Sequence, residues 1–168
     1  MDKISKKICL VGDFSVGKTS LIRRFVDRQF SDRYLSTVGV KISRKEIELA
    51  EKSIKLLIWD IEGQTKFKAI SSSYLQGAKG AIIVGDLTRP DTLEHLANHL
   101  DSFFSVNPQG YAIVAFNKSD LVSTTEIEEV LANNDFRQNP QVISTHVTSA
   151  KTGQDVDDIF QELALQLV

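Results

Sequence analysis

Apolar and polar positions along this chain fall into two alternating rhythms. Residues 8–11, 81–84 and 112–116 are short continuous apolar runs, as expected of strands covered on both faces. Residues 42–49 and 54–60 carry β-branched alternation and are separated only by Ala50-Glu51-Lys52-Ser53, which predicts an antiparallel hairpin. Residues 142–148 predict a sixth strand. Between the strands the period changes. Residues 18–27 place Leu21, Ile22 and Phe25 at helical spacing, and Leu93, Leu96, Leu100, Phe103 and Phe104 form one apolar helix stripe. Ser123 with Glu126 is a capping box that opens a helix predicted to bury Ile127, Val130 and Leu131. A terminal helix presents Val156, Ile159, Phe160, Leu163 and Leu167 on one side, and Pro90, Pro108 and Pro140 fall between elements. Strands alternating with helices predict an α/β doubly wound sheet with helices on both faces and function at the carboxyl ends of its strands.

Composition narrows the class. A chain of 168 residues, 42% of them hydrophobic, suits one domain spanning residues 1–168 and is too apolar for disorder. The net charge of -2 argues against nucleic-acid binding through bulk electrostatics. Cys9 is the single cysteine, so no intramolecular disulfide or multi-cysteine metal site can form, and its apolar run makes it a buried hydrophobe. With neither a signal peptide nor a spanning segment in view, a cytoplasmic monomer is expected.

Five loops carry the chemistry. Gly12-Asp13-Phe14-Ser15-Val16-Gly17-Lys18-Thr19 fits G-x-x-x-x-G-K-[ST] between a strand and a helix, and Ser20 follows it. Backbone N–H groups of such a loop face phosphate oxygens and the helix N-terminus adds positive potential. Lys18 reaches the β- and γ-phosphates, and the Thr19 hydroxyl suits Mg²⁺. Asn117-Lys118-Ser119-Asp120 ends the fifth strand. A carboxylate at Asp120 pairs with the ring N–H and exocyclic amine of guanine, while adenine leaves it unpaired. Lys118 lies along the base, Asn117 ties this loop to the phosphate loop, and Ser149-Ala150-Lys151 offers a backbone N–H to the guanine carbonyl. Asp60, Gly63 and Gln64 close the third strand. Asp60 holds Mg²⁺ through a water, the Gly63 N–H meets the γ-phosphate, and Gln64 orients the attacking water. Thr37, in Ser36-Thr37-Val38-Gly39, is the second hydroxyl for Mg²⁺. Catalysis is therefore expected from Gln64 and Lys18, with both segments ordered by the γ-phosphate and released on hydrolysis.

Together these residues resemble the Ras-like small GTPases, closest to the Rab branch, over nearly the whole chain. Lys55-Leu56-Leu57-Ile58-Trp59, Lys66-Phe67-Lys68-Ala69-Ile70 and Tyr74-Leu75-Gln76-Gly77-Ala78 strengthen that likeness. The resemblance implies a P-loop NTPase sheet of six strands, mostly parallel with one antiparallel, binding Mg²⁺ and GTP or GDP. It also implies exchange factors, GTPase-activating proteins and effectors as partners, and roles in signal transduction and vesicle trafficking. By the family pattern Phe30 packs against guanine, and Ile42, Trp59 and Tyr74 face effectors.

The chain departs from that pattern in three places. Ile61-Glu62 replaces the usual Thr-Ala, so a carboxylate beside the γ-phosphate must turn out, find a cation, or slow the chemistry. Phe14 replaces a small residue and crowds an incoming arginine finger. The tail carries no cysteine for prenylation, so no self-anchoring to membrane is expected of this sequence. Phe14, Glu62 and the lack of an identifiable built-in arginine finger predict slow intrinsic hydrolysis, on the order of 10⁻⁴ s⁻¹ or below. Alternatives are a GTP-loaded binding module with negligible hydrolysis, the GTPase domain of a larger protein, or an ATPase or small-molecule kinase, against which the guanine loop speaks. His95 and His99, four apart, tempt a zinc reading, but without a third ligand they are expected on a solvated face opposite the leucine stripe. Lys3, Lys6 and Lys7 are expected as a solvated strand end. His146 carries no assigned role.

Overall fold

Ile8 and Leu10 turn to one side of the first strand, Cys9 and Val11 to the other, and this alternation divides the molecule into two apolar layers. The computed structural model describes residues 2–32, 37–66 and 68–168, apart from the side chains of residues 2 and 3. Ser36, Phe67 and the Lys3 side chain therefore lie outside the described residues.

β1 (Asp2–Gly12) sits between β3 (Lys52–Ile61) and β4 (Gly80–Asp86), parallel to both. β2 (Val40–Glu48) pairs antiparallel with β3, and β5 (Tyr111–Asn117) and β6 (Val142–Val147) complete a six-stranded sheet ordered β2-β3-β1-β4-β5-β6. β1 starts well before its apolar run because central-strand backbone needs partners whatever its side chains, and β3 supplies them from Asp2 onward. α1 (Lys18–Asp27) and α5 (Val156–Gln166) cover one face, where Phe25 and Phe160 stack with centroids 4.2 Å apart. α2 (Pro90–Glu94) and α3 (Leu96–Val106) cover the other, laying Leu93, Leu96, Leu100 and Phe103 over Cys9, Val11, Ile83 and Val114.

Three expectations need correction. The single helix predicted through residues 93–104 is interrupted at His95, which caps α2 and opens α3. α4 (Thr124–Asn133) has the Ser123 cap, whose hydroxyl accepts from Glu126 N–H, but none of its residues is fully buried. Ile127 and Val130 only lean on the core and Leu131 is 38% exposed, because Val122 and Phe136 at either end of the helix share the cover. Cys9 is buried as expected, and burial pushes its thiol up to about 12. Lys7 is not simply solvated. Its ammonium sits 3.5 Å from the Trp59 ring centroid and donates to the Gln76 carbonyl.

The order of strands reverses direction on either side of β1, so the loops leaving β1, β3, β4, β5 and β6 open along one edge. The phosphate loop, Thr37, the segment from Asp60 to Gln64, the loop of Asn117 to Asp120 and the loop of Ser149 to Lys151 all lie on that edge. No helix among the described residues is long and apolar enough to cross a membrane.

Candidate nucleotide site

The loop between β1 and α1 turns through Gly17, whose φ of 103° suits glycine and whose absent side chain makes room for Asn117: a Cβ there would stand 2.3 Å from Asn117 Nδ2. Lys18 opens α1 and is buried; its ammonium donates to the carbonyls of Asp13 (2.9 Å) and Gly12 (3.4 Å). Two of its three donors are thereby aimed. Burial lowers its pKa to about 8, with Asp60 and Asp13 opposing that shift.

At one end of the loop the residues expected to read the base converge. Ser15, Gly17, Ser20, Phe30, Asn117, Lys118, Asp120, Ala150 and Lys151 line a cleft of about 290 Å³. Asn117 is buried: its amide donates to the Val16 carbonyl at 3.0 Å and its oxygen accepts from Thr148. Lys118 donates to the Ser15 carbonyl at 2.9 Å and pairs with Asp86 at 2.9 Å. The Ser149 hydroxyl orients the Asp120 carboxylate from 2.8 Å. Arg24 on α1 holds the carbonyls of Lys151 and Thr152, fixing the sixth-strand loop from behind.

At the other end, Phe14, Lys18, Thr19, Thr37, Asp60 and Gly63 line a narrow cleft of about 30 Å³. The hydroxyls of Thr19 and Thr37 lie 2.7 Å apart, and Asp60 Oδ2 accepts from both, at 2.6 and 3.1 Å. The other carboxylate oxygen, Asp60 Oδ1, is buried without a partner among the described residues. Burial raises the Asp60 pKa, opposed by the two threonines and Lys18. An orphaned carboxylate oxygen beside two hydroxyls is the donor set a hard divalent cation takes, so these residues fit Mg²⁺.

Beyond Asp60 the chain is strapped to the phosphate loop. Gln64 N–H donates to the Gly12 carbonyl and Phe14 N–H to the Gln64 carbonyl, so Asp13 and Gln64 form a one-residue parallel bridge. A Cβ on Gly63 would stand 2.4 Å from the Phe14 Cα, which explains a glycine at that place. Gln64 lines a groove against α3 together with Val11, Ile70 and His99, and is not among the residues lining the cleft of Thr37 and Asp60. Glu62 has found its cation: Lys68 at 2.8 Å, with the Gly39 N–H at 3.4 Å. The lysine bond holds the Glu62 carboxyl below its ordinary range.

The histidine pair corrects the sequence reading most sharply. His99 is buried, and its Nε2 meets Asp13 Oδ1 at 2.8 Å; His95 Nδ1 meets Asp13 Oδ2 at 2.5 Å. His99 stands three residues after Leu96 and four before Phe103, so it borders the apolar stripe rather than opposing it, and that spacing was the available signal. No group of three His, Cys, Asp or Glu among the described residues could hold a metal ion. Arg89 also escaped notice. It pairs with Asp86 at 3.0 Å and donates to the Phe14 carbonyl at 2.6 Å, which the sequence alone did not suggest.

A model of the Ras family matches residues 7–168. The chain belongs to the Ras family. Ras-related protein Rab-1C of Dictyostelium discoideum is 40% identical over 161 residues, covering 94% of this chain and 78% of that protein. Ras-related protein Rab-13 of Bos taurus is 34% identical over 163 residues, with 96% and 79% covered. GTP-binding protein ypt4 of Schizosaccharomyces pombe is 35% identical over 172 residues, with 96% and 71% covered. These relatives place it in the Rab branch. As a Ras-family protein it binds guanine nucleotide and hydrolyses GTP as a molecular switch, and a role in vesicle trafficking fits the Rab likeness. Ras-family proteins in general also bind regulators and effectors.

Proposed function

We propose that the switch works through two groups of residues with separate tasks. Asn117, Lys118, Asp120 and the Ser149-Ala150-Lys151 loop select guanine, with Phe30 against the base. The phosphate loop from Asp13 to Ser20 wraps the phosphates with backbone N–H groups. Thr19, Thr37 and Asp60 hold Mg²⁺, which when bound neutralises charge developing on the β- and γ-phosphate oxygens. The third N–H of Lys18 meets the same oxygens. Gln64 swings out of the α3 groove to orient a water, whose oxygen bonds to the γ-phosphorus as the bond to the β–γ bridging oxygen breaks. Phosphate leaves while GDP stays in the cleft, Thr37 and Gly63 lose their phosphate partner, and the surface of Ile42, Trp59 and Tyr74 is rearranged for regulators and effectors. Intrinsic turnover is slow, because Phe14 stands at the cleft and Arg89 is engaged by Asp86 and the loop.

The observation that carries this reading is the meeting of Thr19 and Thr37, far apart in sequence, on one oxygen of the Asp60 carboxylate, whose other oxygen has no partner among the described residues. Nucleotide released from the purified protein should chromatograph as GDP or GTP. A chelator should speed its release, and Thr19→Val should remove most of that sensitivity. Release of an adenine nucleotide, or release indifferent to chelator, would overturn it.

A further inference from the structure

Asp13 is the point at which three parts of this molecule meet. Its carbonyl accepts from Lys18, and the hydrogen bonds on either side of it, Gln64 N–H to Gly12 and Phe14 N–H to Gln64, fix where Gln64 stands. Its carboxylate turns away from the nucleotide cleft and is gripped by two histidines from the broken helix, His95 at 2.5 Å and His99 at 2.8 Å. His99 and Gln64 line the same groove against α3, so His99 bonds one partner of the bridge and stands near the other.

We propose that His95 and His99 are positioning residues for GTP hydrolysis, holding the Asp13 carboxylate and, through the Asp13 backbone, the register in which Gln64 meets the phosphate loop. The proposal rests on the GTPase reading above and adds residues that touch no substrate. A reacting group displaced by about 1 Å can lose on the order of 10²-fold in rate, so a loop bridged to Gln64 by a single residue pair is sensitive to how its side chain is anchored.

The two anchors differ. His99 is buried, and burial lowers its pKa despite the Asp13 bond, so it stays neutral and donates from Nε2. His95 is 41% exposed on its side chain, and the Asp13 bond raises its pKa, helped by Asp13, Asp91 and Glu94 as nearby negative charges. The charge of Lys18, at the start of α1, also lowers the His99 pKa, and Lys18 in turn feels Asp60 on β3 and Arg89 before α2. A charged His95 holds the carboxylate by an ion pair, a neutral one by a plain hydrogen bond, so the anchor tightens as pH falls through the His95 titration.

Single-turnover hydrolysis of GTP by the Mg²⁺-loaded full chain, followed from about pH 6 to about pH 8.5, tests this. His95→Gln and His99→Leu should hydrolyse about tenfold more slowly, with nucleotide release altered about twofold or less. His99→Gln, which keeps a donor, should recover part of the loss. The wild-type to His95→Gln rate ratio should be about threefold larger at the acid end. If His99→Leu fails to fold, His95→Gln decides, since that side chain is half in solvent. An unchanged rate in His95→Gln, a ratio flat with pH, or a rate loss matched by nucleotide loss overturns the inference alone. A wild type that binds GTP and never hydrolyses it overturns both the inference and the reading beneath it.

Discussion

At the base end of the cleft, side chains join separate elements: buried Asn117 reaches Val16 and Thr148, half-buried Lys118 reaches Ser15 and the buried Asp86, and Arg24 clasps the loop of Lys151. At the γ-phosphate end, Glu62 meets Lys68 and Gly39 near the surface, and Gln64 hangs on two backbone hydrogen bonds. The difference separates recognition from response. A base pocket must hold one shape whichever phosphate is present, and buried hydrogen bonds whose loss leaves polar groups unpaired provide that rigidity. A sensor must exchange its bonds when one phosphate leaves, and surface bonds that water can replace allow that.

The sharpest way to break this contrast is at Asp120. Asp120→Ala should remove discrimination of guanine from adenine by up to ~10⁴-fold, seen in competitive binding of the two diphosphates, with the fold intact by circular dichroism. If selectivity survived, the rigid end would not be the reading end. Gln64→Leu should come next, slowing single-turnover hydrolysis by about ten- to a hundredfold while leaving GDP affinity within a few-fold. Equal hydrolysis in the variant would favour a binding module over a switch. A smaller effect is expected of Glu62→Gln, which weakens the tie to Lys68 and the Gly39 N–H. GDP release should quicken about two- to threefold at low salt and the difference should fade at high salt. A salt-independent change would mean the latch acts through something other than charge.

The smallest effect lies far from the cleft. His146 on β6 bonds Asp155 at 3.0 Å and Glu162 at 2.8 Å. Burial works against its charged form, yet the two carboxylates outweigh burial and raise its pKa above the ordinary 6.5. A raised pKa in the folded state gives stability that is complete below the unfolded value and lost as pH rises through the folded one. The urea midpoint of the wild type should therefore exceed that of His146→Gln more at pH of about 5.5 than at about 8. The reverse order would show that the carboxylates do not control this histidine.

Much of the fold was legible because β-branched runs and helical spacing are local signals. The phosphate loop, the guanine loop and Asp60-Ile61-Glu62-Gly63-Gln64 were legible because their chemistry needs several contiguous residues. What sequence concealed was pairing between distant loops. Asp13 and His99 are 86 residues apart, and nothing near either one names the other. The break at His95 also defeated a periodicity drawn as one helix, since two short helices need not share a face. Arg89 beside Pro90 reads as a turn residue until β4 delivers Asp86 and the loop delivers the Phe14 carbonyl. The predicted burial of Leu131 failed because amphipathic spacing tells which face turns inward and not how much neighbouring loops already cover.

Cys9 gives this molecule a built-in clock. Its sulfur has no exposure, lies between the two strands that flank β1, and is a thiol rather than a thiolate at any ordinary pH. A small alkylating reagent can reach it only when the centre of the sheet opens, so each labelled molecule records one large excursion from the native state. Because the phosphate loop begins at the end of the same strand, bound nucleotide should slow that clock in proportion to how tightly it is held. Modification of a single sulfur would then weigh the grip of the cleft on its ligand, with no fluorescent nucleotide and no partner protein.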